Sequence, residues 1–249
     1  MNIFKRITGG FFAVWMLLWF VITILLVTIP TAICHYTIRD EKKQASAILK
    51  WYRIWMGVYL PGVFCPIRRK GLSNFKEGEN YVVVCNHNSF VDILVSTPSV
   101  PGASKTLAKA ELARIPIFGL IYSSGSILVD RKDPQNRRKS LIEMKRVLED
   151  GMHLILYPEG TRNKTSRPLQ PFYDGAFTMA IKTQKPVLPA VIFHTKEILP
   201  AKGGFYAWPH SVPIHFLEPI PTKGLKSEDV EKLKDRVYQI MLEHYTKYQ

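Results

Sequence analysis

Short apolar runs alternate with amphipathic stretches along most of the chain. Seven of these runs are predicted to be strands: Pro66–Lys70, Tyr81–Cys85, Thr106–Ala108, Ile127–Val129, His153–Tyr157, Val187–Phe193 and Val212–Phe216. Runs without any polar position, such as Val82–Val84, are typical of strands that are buried on both faces. Because helix-like stretches follow most of the runs, the pattern predicts an α/β fold with a largely parallel mixed sheet flanked by helices.

Two of the helices carry clear boundary signals. Asp133 and Pro134 suit the N-cap and first turn of a helix that Gly151 ends. Its predicted buried stripe is Leu141, Met144, Val147 and Leu148. The last helix is predicted to start near Ser227–Asp229 and to bury Val230, Leu233, Val237, Ile240 and Met241.

The N-terminal segment is apolar enough to enter a membrane. Phe11–Ile29 has no charged residue and is about long enough to cross a bilayer as a helix. A cleaved signal peptide is the alternative, but the run is long for one and Thr31–Ile33 is a poor cleavage site. We therefore expect an uncleaved anchor.

A second segment, Gln44–Phe64, combines aromatic residues with Lys50 and Arg53. This mixture is typical of helices at the level of the lipid headgroups, and packing into a protein core is the alternative. The sequence therefore predicts two membrane-anchoring helices in residues 1–64 and an α/β domain in residues 65–249. Whether the anchor spans the bilayer or lies in one leaflet is left open.

The charge of the chain indicates an anionic partner. Its net charge is +14, from 34 Lys and Arg against 20 Asp and Glu. Such an excess suits nucleic acid, anionic lipid or an acidic protein. No zinc-finger spacing, RNP-like motif or helix-turn-helix signature supports nucleic acid, so a phospholipid surface is favoured. The three cysteines lack CxxC spacing, which predicts free thiols in a reducing compartment.

Two polar segments directly follow predicted strands, where α/β folds place their chemistry. In the first, residues 86–92, His87 is a candidate general base and Asp92 is a candidate for orienting its ring. A spacing of five fits this pairing only if His87 lies in a strand-to-helix turn and Asp92 in the first helical turn. Asn86 and Asn88 suit the cap of that helix. The structural alternative is a buried histidine beside an N-capping aspartate.

The second polar segment, residues 157–162, reads Tyr-Pro-Glu-Gly-Thr-Arg. Two further segments, Gly125–Arg131 and Lys185–Ala190, complete four blocks in a fixed order. In these blocks the chain resembles the glycerolipid acyltransferases, the PlsC-type or 1-acyl-sn-glycerol-3-phosphate (lysophosphatidate) acyltransferase family. The resemblance implies an enzyme that transfers a fatty acyl group from acyl carrier protein or coenzyme A to the hydroxyl of lysophosphatidate, which forms phosphatidate.

The resemblance also assigns roles to residues. It implies direct attack by the acceptor, with His87 and Asp92 as the catalytic pair. The acceptor phosphate and glycerol are expected to contact Arg131, Glu159, Gly160, Thr161 and Arg162, since a guanidinium binds phosphate through two hydrogen bonds. Solvated charge or a structural ion pair is the alternative for these charged residues. Lys105 and Lys109 are expected as accessory cations, and no cofactor or metal is expected.

The expected location is the cytoplasmic face of the inner (plasma) membrane, where the domain meets lysophosphatidate in the phospholipid surface. The nearest alternative keeps the fold and changes the acceptor to lyso-ornithine lipid, another lyso-aminolipid or another lysophospholipid. A lipid-binding protein without catalysis and a metal-dependent hydrolase using His87 and Asp92 are more distant alternatives.

Overall fold

A computed structural model of the protein describes residues 3–130, 132–201 and 204–248. Its strands are β1 (Ile67–Lys70), β2 (Val82–Cys85), β3 (Ser104–Lys109), β4 (Ser126–Val129), β5 (His153–Leu156), β6 (Val187–Ile192) and β7 (Val212–Phe216). Its helices are α1 (Ile3–Thr37), α2 (Glu41–Gly62), α3 (Val91–Ser99), α4 (Phe118–Ser124), α5 (Pro134–Glu149), α6 (Gly175–Thr183), α7 (Thr195–Ile198) and α8 (Val230–Tyr248). The predicted α/β class is confirmed, and every strand overlaps a predicted run.

The strands form one seven-stranded sheet in the order β1-β7-β6-β2-β5-β3-β4. Neighbouring strands are parallel except for β6 and β7, which are antiparallel. Strands β2 to β6 therefore all end at one edge of the sheet, here called the carboxyl edge, and begin at the opposite, amino edge. The chemistry predicted after β2 and β5 thus falls at the carboxyl edge, between neighbouring strands.

The two faces of the sheet are covered by different helices. Alternate residues of the buried strands, such as Val83 and Ile155, pack in one apolar cluster with α1, α2 and α3. The intervening residues, such as Val82 and Leu154, pack in a second cluster with α5, α6 and α8. This two-sided burial explains why every residue of β2 and β5 is buried.

Helices α1 and α2 form an antiparallel pair that is joined by specific contacts. Trp55 Nε1 donates to Thr23 Oγ1 at 2.9 Å, and Trp15 Nε1 donates to the Gly62 carbonyl at 3.0 Å. A side chain at Gly62 would collide with Trp19, because an added Cβ would lie 2.2 Å from its Nε1. The pair therefore depends on close approach near the end of α2.

Helix α1 is long and apolar enough to cross a membrane, and 28% of its most apolar window is buried within the protein. Both helices contribute to the apolar cluster that contains Val83, and in α2 its buried members include Trp55, Met56, Tyr59 and Leu60. These four residues therefore pack in the protein core, which was the alternative to a position at the lipid headgroups. The division at residue 64 stays a prediction.

The predicted ends of α5 and α8 are close to the observed ones. Asp133 caps α5, because its side chain accepts a hydrogen bond from the Gln135 N–H. Three of the four residues predicted for the stripe of α5 are buried, whereas Leu141 is 47% exposed, so its predicted burial is wrong. Leu141 lies one turn before the buried residues that reach the sheet. In α8, Leu233, Val237 and Met241 are buried, and Val230 and Ile240 are partly buried.

Candidate active site

His87 and Asp92 lie where their spacing requires. His87 lies in the turn after β2, and Asp92 lies in the first turn of α3. The predicted cap is different, however. The Asn86 side chain instead joins β2 to β6 through hydrogen bonds with both backbone groups of Ile192, and the Asn88 side chain is buried without capping α3.

The Asp92 carboxylate is fully buried and holds the His87 ring. Its Oδ2 atom lies 2.8 Å from His87 Nδ1 and accepts hydrogen bonds from the backbone N–H groups of Asn88 and Ser89. Its Oδ1 atom accepts from the hydroxyl of Thr195. Because both oxygens are fixed in this way, the carboxylate sets the orientation of the ring and favours a proton on Nδ1.

The opposite side of the His87 ring faces a space that a ligand can reach. The side chain is 15% exposed, and none of the described residues hydrogen-bonds to Nε2. The ring packs on Tyr157 with a centroid distance of 4.4 Å, and the Tyr157 hydroxyl is fixed by Ser96 Oγ at 2.6 Å. Burial raises the pKa of Tyr157 well above 10, so it is a neutral wall of the site. Nε2 is therefore placed to accept a proton.

Glu159 connects the two polar segments. Its Oε1 accepts from the His87 N–H at 2.7 Å and its Oε2 from the Gln170 N–H at 2.9 Å. Burial raises the pKa of Glu159 to about 7, although these two hydrogen bonds oppose the shift. Within the described part of the chain no salt bridge joins Glu159 to Arg162. Oε1 therefore positions the backbone of His87, and Oε2 positions that of Gln170.

The residues after Glu159 bring Arg162 to the surface of the site. Gly160 has a φ of +69°, which favours glycine at this turn. Thr161 is exposed, and the Arg162 guanidinium lies 3.8 Å above the centre of the Phe90 ring. The Asn163 N–H donates to the His87 carbonyl at 2.6 Å, which fixes this loop beside the catalytic candidate.

The remaining predicted cations have different outcomes. Arg131 lies outside the described residues. Lys105 does not reach the site, because it is at the amino edge and forms salt bridges with Glu41 and Glu143. Its predicted accessory role is therefore wrong. Lys109 ends β3 at the carboxyl edge, where it is exposed and lies 3.4 Å from Glu111.

Sequence reasoning missed Thr195 and Asn163. Thr195 orients Asp92 from the far side, and the buried Asn163 side chain accepts from the Thr165 N–H and hydroxyl. A signal for Thr195 existed, because it follows a fully buried strand at the carboxyl edge, as His87 does. Among the described residues, no group of three or more His, Cys, Asp and Glu side chains is placed to hold a metal.

An apolar cavity of about 590 Å³ adjoins these residues. Its walls come from α1, α2, α3 and α4 and from the loop after α7. Phe90 and Val91, which directly follow the His87 turn, form part of its lining. The site therefore combines a histidine–aspartate pair, a surface arginine and a space that suits a long apolar group.

Comparisons with known proteins agree with this arrangement. Residues 66–193 match the family model described as Acyltransferase. The 1-acyl-sn-glycerol-3-phosphate acyltransferase alpha of Bos taurus is 34% identical over 186 residues, which cover 74% of this chain and 63% of that protein. The 1-acyl-sn-glycerol-3-phosphate acyltransferase of Helicobacter pylori is 30% identical over 175 residues, which cover 70% of this chain and 73% of that protein.

A crystal structure extends the likeness to the N-terminal helices. The 1-acyl-sn-glycerophosphate (LPA) acyltransferase PlsC from Thermotoga maritima has a TM-score of 0.80 at 24% identity, over 98% of this chain and 97% of that one. This likeness shows a shared fold. The chain spans less than two thirds of the length of the bovine protein. Since the family model matches about half of the chain, from the start of β1 to the end of β6, this protein belongs to the acyltransferase family.

Proposed function

We propose that the protein transfers a fatty acyl group from a thioester to the free hydroxyl of lysophosphatidate and so forms phosphatidate. The observation that carries this proposal is the His87–Asp92 pair at the carboxyl edge, with a free Nε2, beside an apolar cavity. The names of the bovine and Helicobacter pylori relatives support the choice of acceptor.

In the proposed reaction His87 is the general base. Nε2 takes the proton of the acceptor hydroxyl while its oxygen attacks the thioester carbonyl carbon. The carbon–sulfur bond then breaks, and the imidazolium returns the proton to the leaving thiolate. Asp92, held against Nδ1 at 2.8 Å, stabilises the imidazolium between the two steps.

The cavity is proposed to hold an acyl chain. Its walls are apolar residues such as Leu94 and Trp55. Burying methylene groups there is favourable by about 0.8 kcal/mol each, so the cavity binds a fatty chain better than a short or polar one. Because the cavity begins beside Phe90, a chain lying in it extends towards the His87 turn.

The acceptor phosphate is proposed to bind Arg162 together with Arg131. The Arg162 guanidinium stacks on Phe90, which leaves its edge free to donate two parallel hydrogen bonds to phosphate. Gly160 and Thr161 are proposed to let the glycerol approach the backbone. Glu159 is proposed to act through its hold on the His87 N–H.

The co-substrate is proposed to be acyl-coenzyme A or acyl-acyl carrier protein, with no cofactor or metal. The length and apolar composition of α1 favour a membrane location. We propose that the domain faces the cytoplasm on the inner (plasma) membrane, where newly made thioesters and lysophosphatidate meet.

The test is an acyl-transfer assay with the full chain in detergent micelles. Labelled acyl-coenzyme A and acyl carrier protein thioesters are offered with lysophosphatidate, lyso-ornithine lipid, other lysophospholipids and monoacylglycerol. We expect labelled phosphatidate as the main product, and its formation should survive a metal chelator. Faster acylation of lyso-ornithine lipid would contradict the proposed acceptor, and lipid binding without turnover would contradict the proposed reaction.

A further inference from the structure

Lys196 is a partly buried cation next to the proposed catalytic pair. It lies on α7 directly after Thr195, whose hydroxyl holds the Asp92 carboxylate. Its Nζ atom donates to the Thr165 carbonyl at 3.3 Å. Among the described residues, no carboxylate oxygen lies within 4.0 Å of Nζ, so Lys196 forms no salt bridge with them.

The loop that Lys196 contacts is the one that carries Arg162. Asn163 fixes this loop through two hydrogen bonds. Its N–H donates to the His87 carbonyl, and its side-chain oxygen accepts from the Thr165 N–H. Lys196 and Arg162 therefore border the same rigid turn, which is bonded to the backbone of His87. Two cations with no carboxylate partner beside one turn form a suitable site for an anion.

The electrostatic surroundings of Lys196 include burial and three acidic groups. Burial lowers its pKa, while Glu159, Glu197 and Asp92 raise it, so carboxylates act on Lys196 without forming a direct ion pair. A partly buried ammonium without a bonded counter-ion has lost part of its hydration. An anion that binds here would replace that hydration.

We propose that Lys196 is a phosphate-binding residue that contacts a phosphoryl group of a substrate together with Arg162. The inference rests on the proposed function, because both substrates of that reaction carry phosphate. The lysophosphatidate acceptor has a phosphomonoester, and the coenzyme A or acyl carrier protein donor has phosphate esters on its carrier group. The shared chemistry is a phosphate ester next to the His87 turn.

The kinetic test compares Lys196→Met, Lys196→Arg and a control, Lys182→Met. Lys182 is an exposed lysine at the end of α6, which packs on the opposite face of the sheet. We expect Lys196→Met to raise the Michaelis constant of one substrate about 10- to 100-fold with little change in turnover number. Lys196→Arg should retain most of the affinity, and Lys182→Met should match the original protein. An increase for the acceptor assigns the phosphate to lysophosphatidate, and an increase for the thioester assigns it to the donor.

Unchanged Michaelis constants for both substrates in Lys196→Met would overturn the inference, as would a fall in turnover number alone. A binding measurement makes the result independent of catalysis. Thermal stabilisation by glycerol 3-phosphate and by coenzyme A is recorded for each folded variant, and Lys196→Gln replaces Lys196→Met if the latter does not fold. If the original protein transfers no acyl group, the proposed function fails. Lys196 is then judged by whether its loss abolishes stabilisation by either phosphate compound.

Discussion

The amino and carboxyl edges of the sheet differ in how their polar groups are used. At the amino edge, Asn80 donates to the carbonyls of Leu148 and Met152, and Arg53 donates to those of Val100 and Gly102. Protein atoms thus satisfy these donors. They connect separate parts of the chain, because the carbonyls that they bind lie at the end of α5 and in the segments before β3 and β5.

The carboxyl edge has the same kinds of polar groups, but several of them lack a hydrogen-bond partner or an ion-pair partner among the described residues. Both oxygens of Asp92 and of Glu159 accept hydrogen bonds from protein groups, whereas His87 Nε2 has no partner among the described residues. Arg162 and Lys196 likewise have no carboxylate partner there. The difference shows that function depends less on which polar residues are present than on which of them the fold leaves unsatisfied.

The largest expected effect is on catalysis at the carboxyl edge. Replacing His87 with Ala should lower turnover about 100- to 10,000-fold, because a positioned base is lost. Acceptor binding should change little, since the proposed phosphate contacts lie on other residues. The unfolding temperature should fall, because the Nδ1–Asp92 hydrogen bond and the packing on Tyr157 are also lost. Steady-state kinetics and a thermal melt measure both quantities. A folded His87→Ala protein with near-normal turnover would refute the role, and His153→Asn at the amino edge is the matched control.

The next effect concerns stability at the amino edge. Burial lowers the pKa of His153 to about 4, and its Nδ1 accepts from the Tyr81 N–H, so the folded protein holds it neutral. The unfolded chain binds this proton near pH 6.5, so stability is full above that pH and falls as the pH drops through 4. The neutral His153 side chain thus accounts for about 3 kcal/mol of unfolding free energy that is lost between pH 6.5 and pH 4.

Denaturant titrations at several pH values check this contribution. His153→Asn should lose less unfolding free energy than the original protein between pH 6.5 and pH 4. His215, whose pKa burial also lowers to about 4, is present in both proteins and cancels in the difference. Equal losses in the two proteins would show that His153 takes up no proton on unfolding in this range.

A smaller effect is expected at Arg162. Its replacement with Ala should raise the Michaelis constant for lysophosphatidate roughly 10- to 100-fold, because a charge-assisted contact is lost. Lys should rescue poorly, since it lacks the planar guanidinium. The preference for lysophosphatidate over monoacylglycerol should also decrease. Arg236→Ala, at an exposed position of α8, is the control and should keep the preference.

The smallest effect separates two lysines of the same strand. Lys105→Met should cost roughly 1 kcal/mol of unfolding free energy, because it removes a salt bridge between β3 and Glu41 of α2. Lys109→Met should leave stability almost unchanged, since its side chain is 63% exposed. Turnover should be unaffected by Lys105→Met. A marked loss of turnover there would mean that the amino edge contributes to the site after all.

These two lysines also show the limits of prediction from sequence. The strands and the His87–Asp92 turn were predictable, because fully apolar runs and a fixed spacing depend on local sequence. Lys105 and Lys109 have the same chemistry, and only the direction of β3 in the sheet places them at opposite edges. Thr195 reaches Asp92 through the pairing of β2 with β6, a contact between residues far apart in the chain. The place of Thr195 after a buried strand makes it a candidate for the site, but its contact with Asp92 depends on tertiary pairing, which leaves no local pattern.

The burial of α2 in the domain core has a consequence for how the chain is made. Tyr59 and Leu60 leave the ribosome before the strands of their apolar cluster, and Leu188 and Ile192 of that cluster follow much later. The apolar surfaces of α1 and α2 are therefore not covered by the rest of the domain until the later strands have been synthesised. We expect the lipid bilayer to cover these surfaces in that interval and so to prevent their aggregation. The membrane would then assist folding before it supplies the proposed substrate.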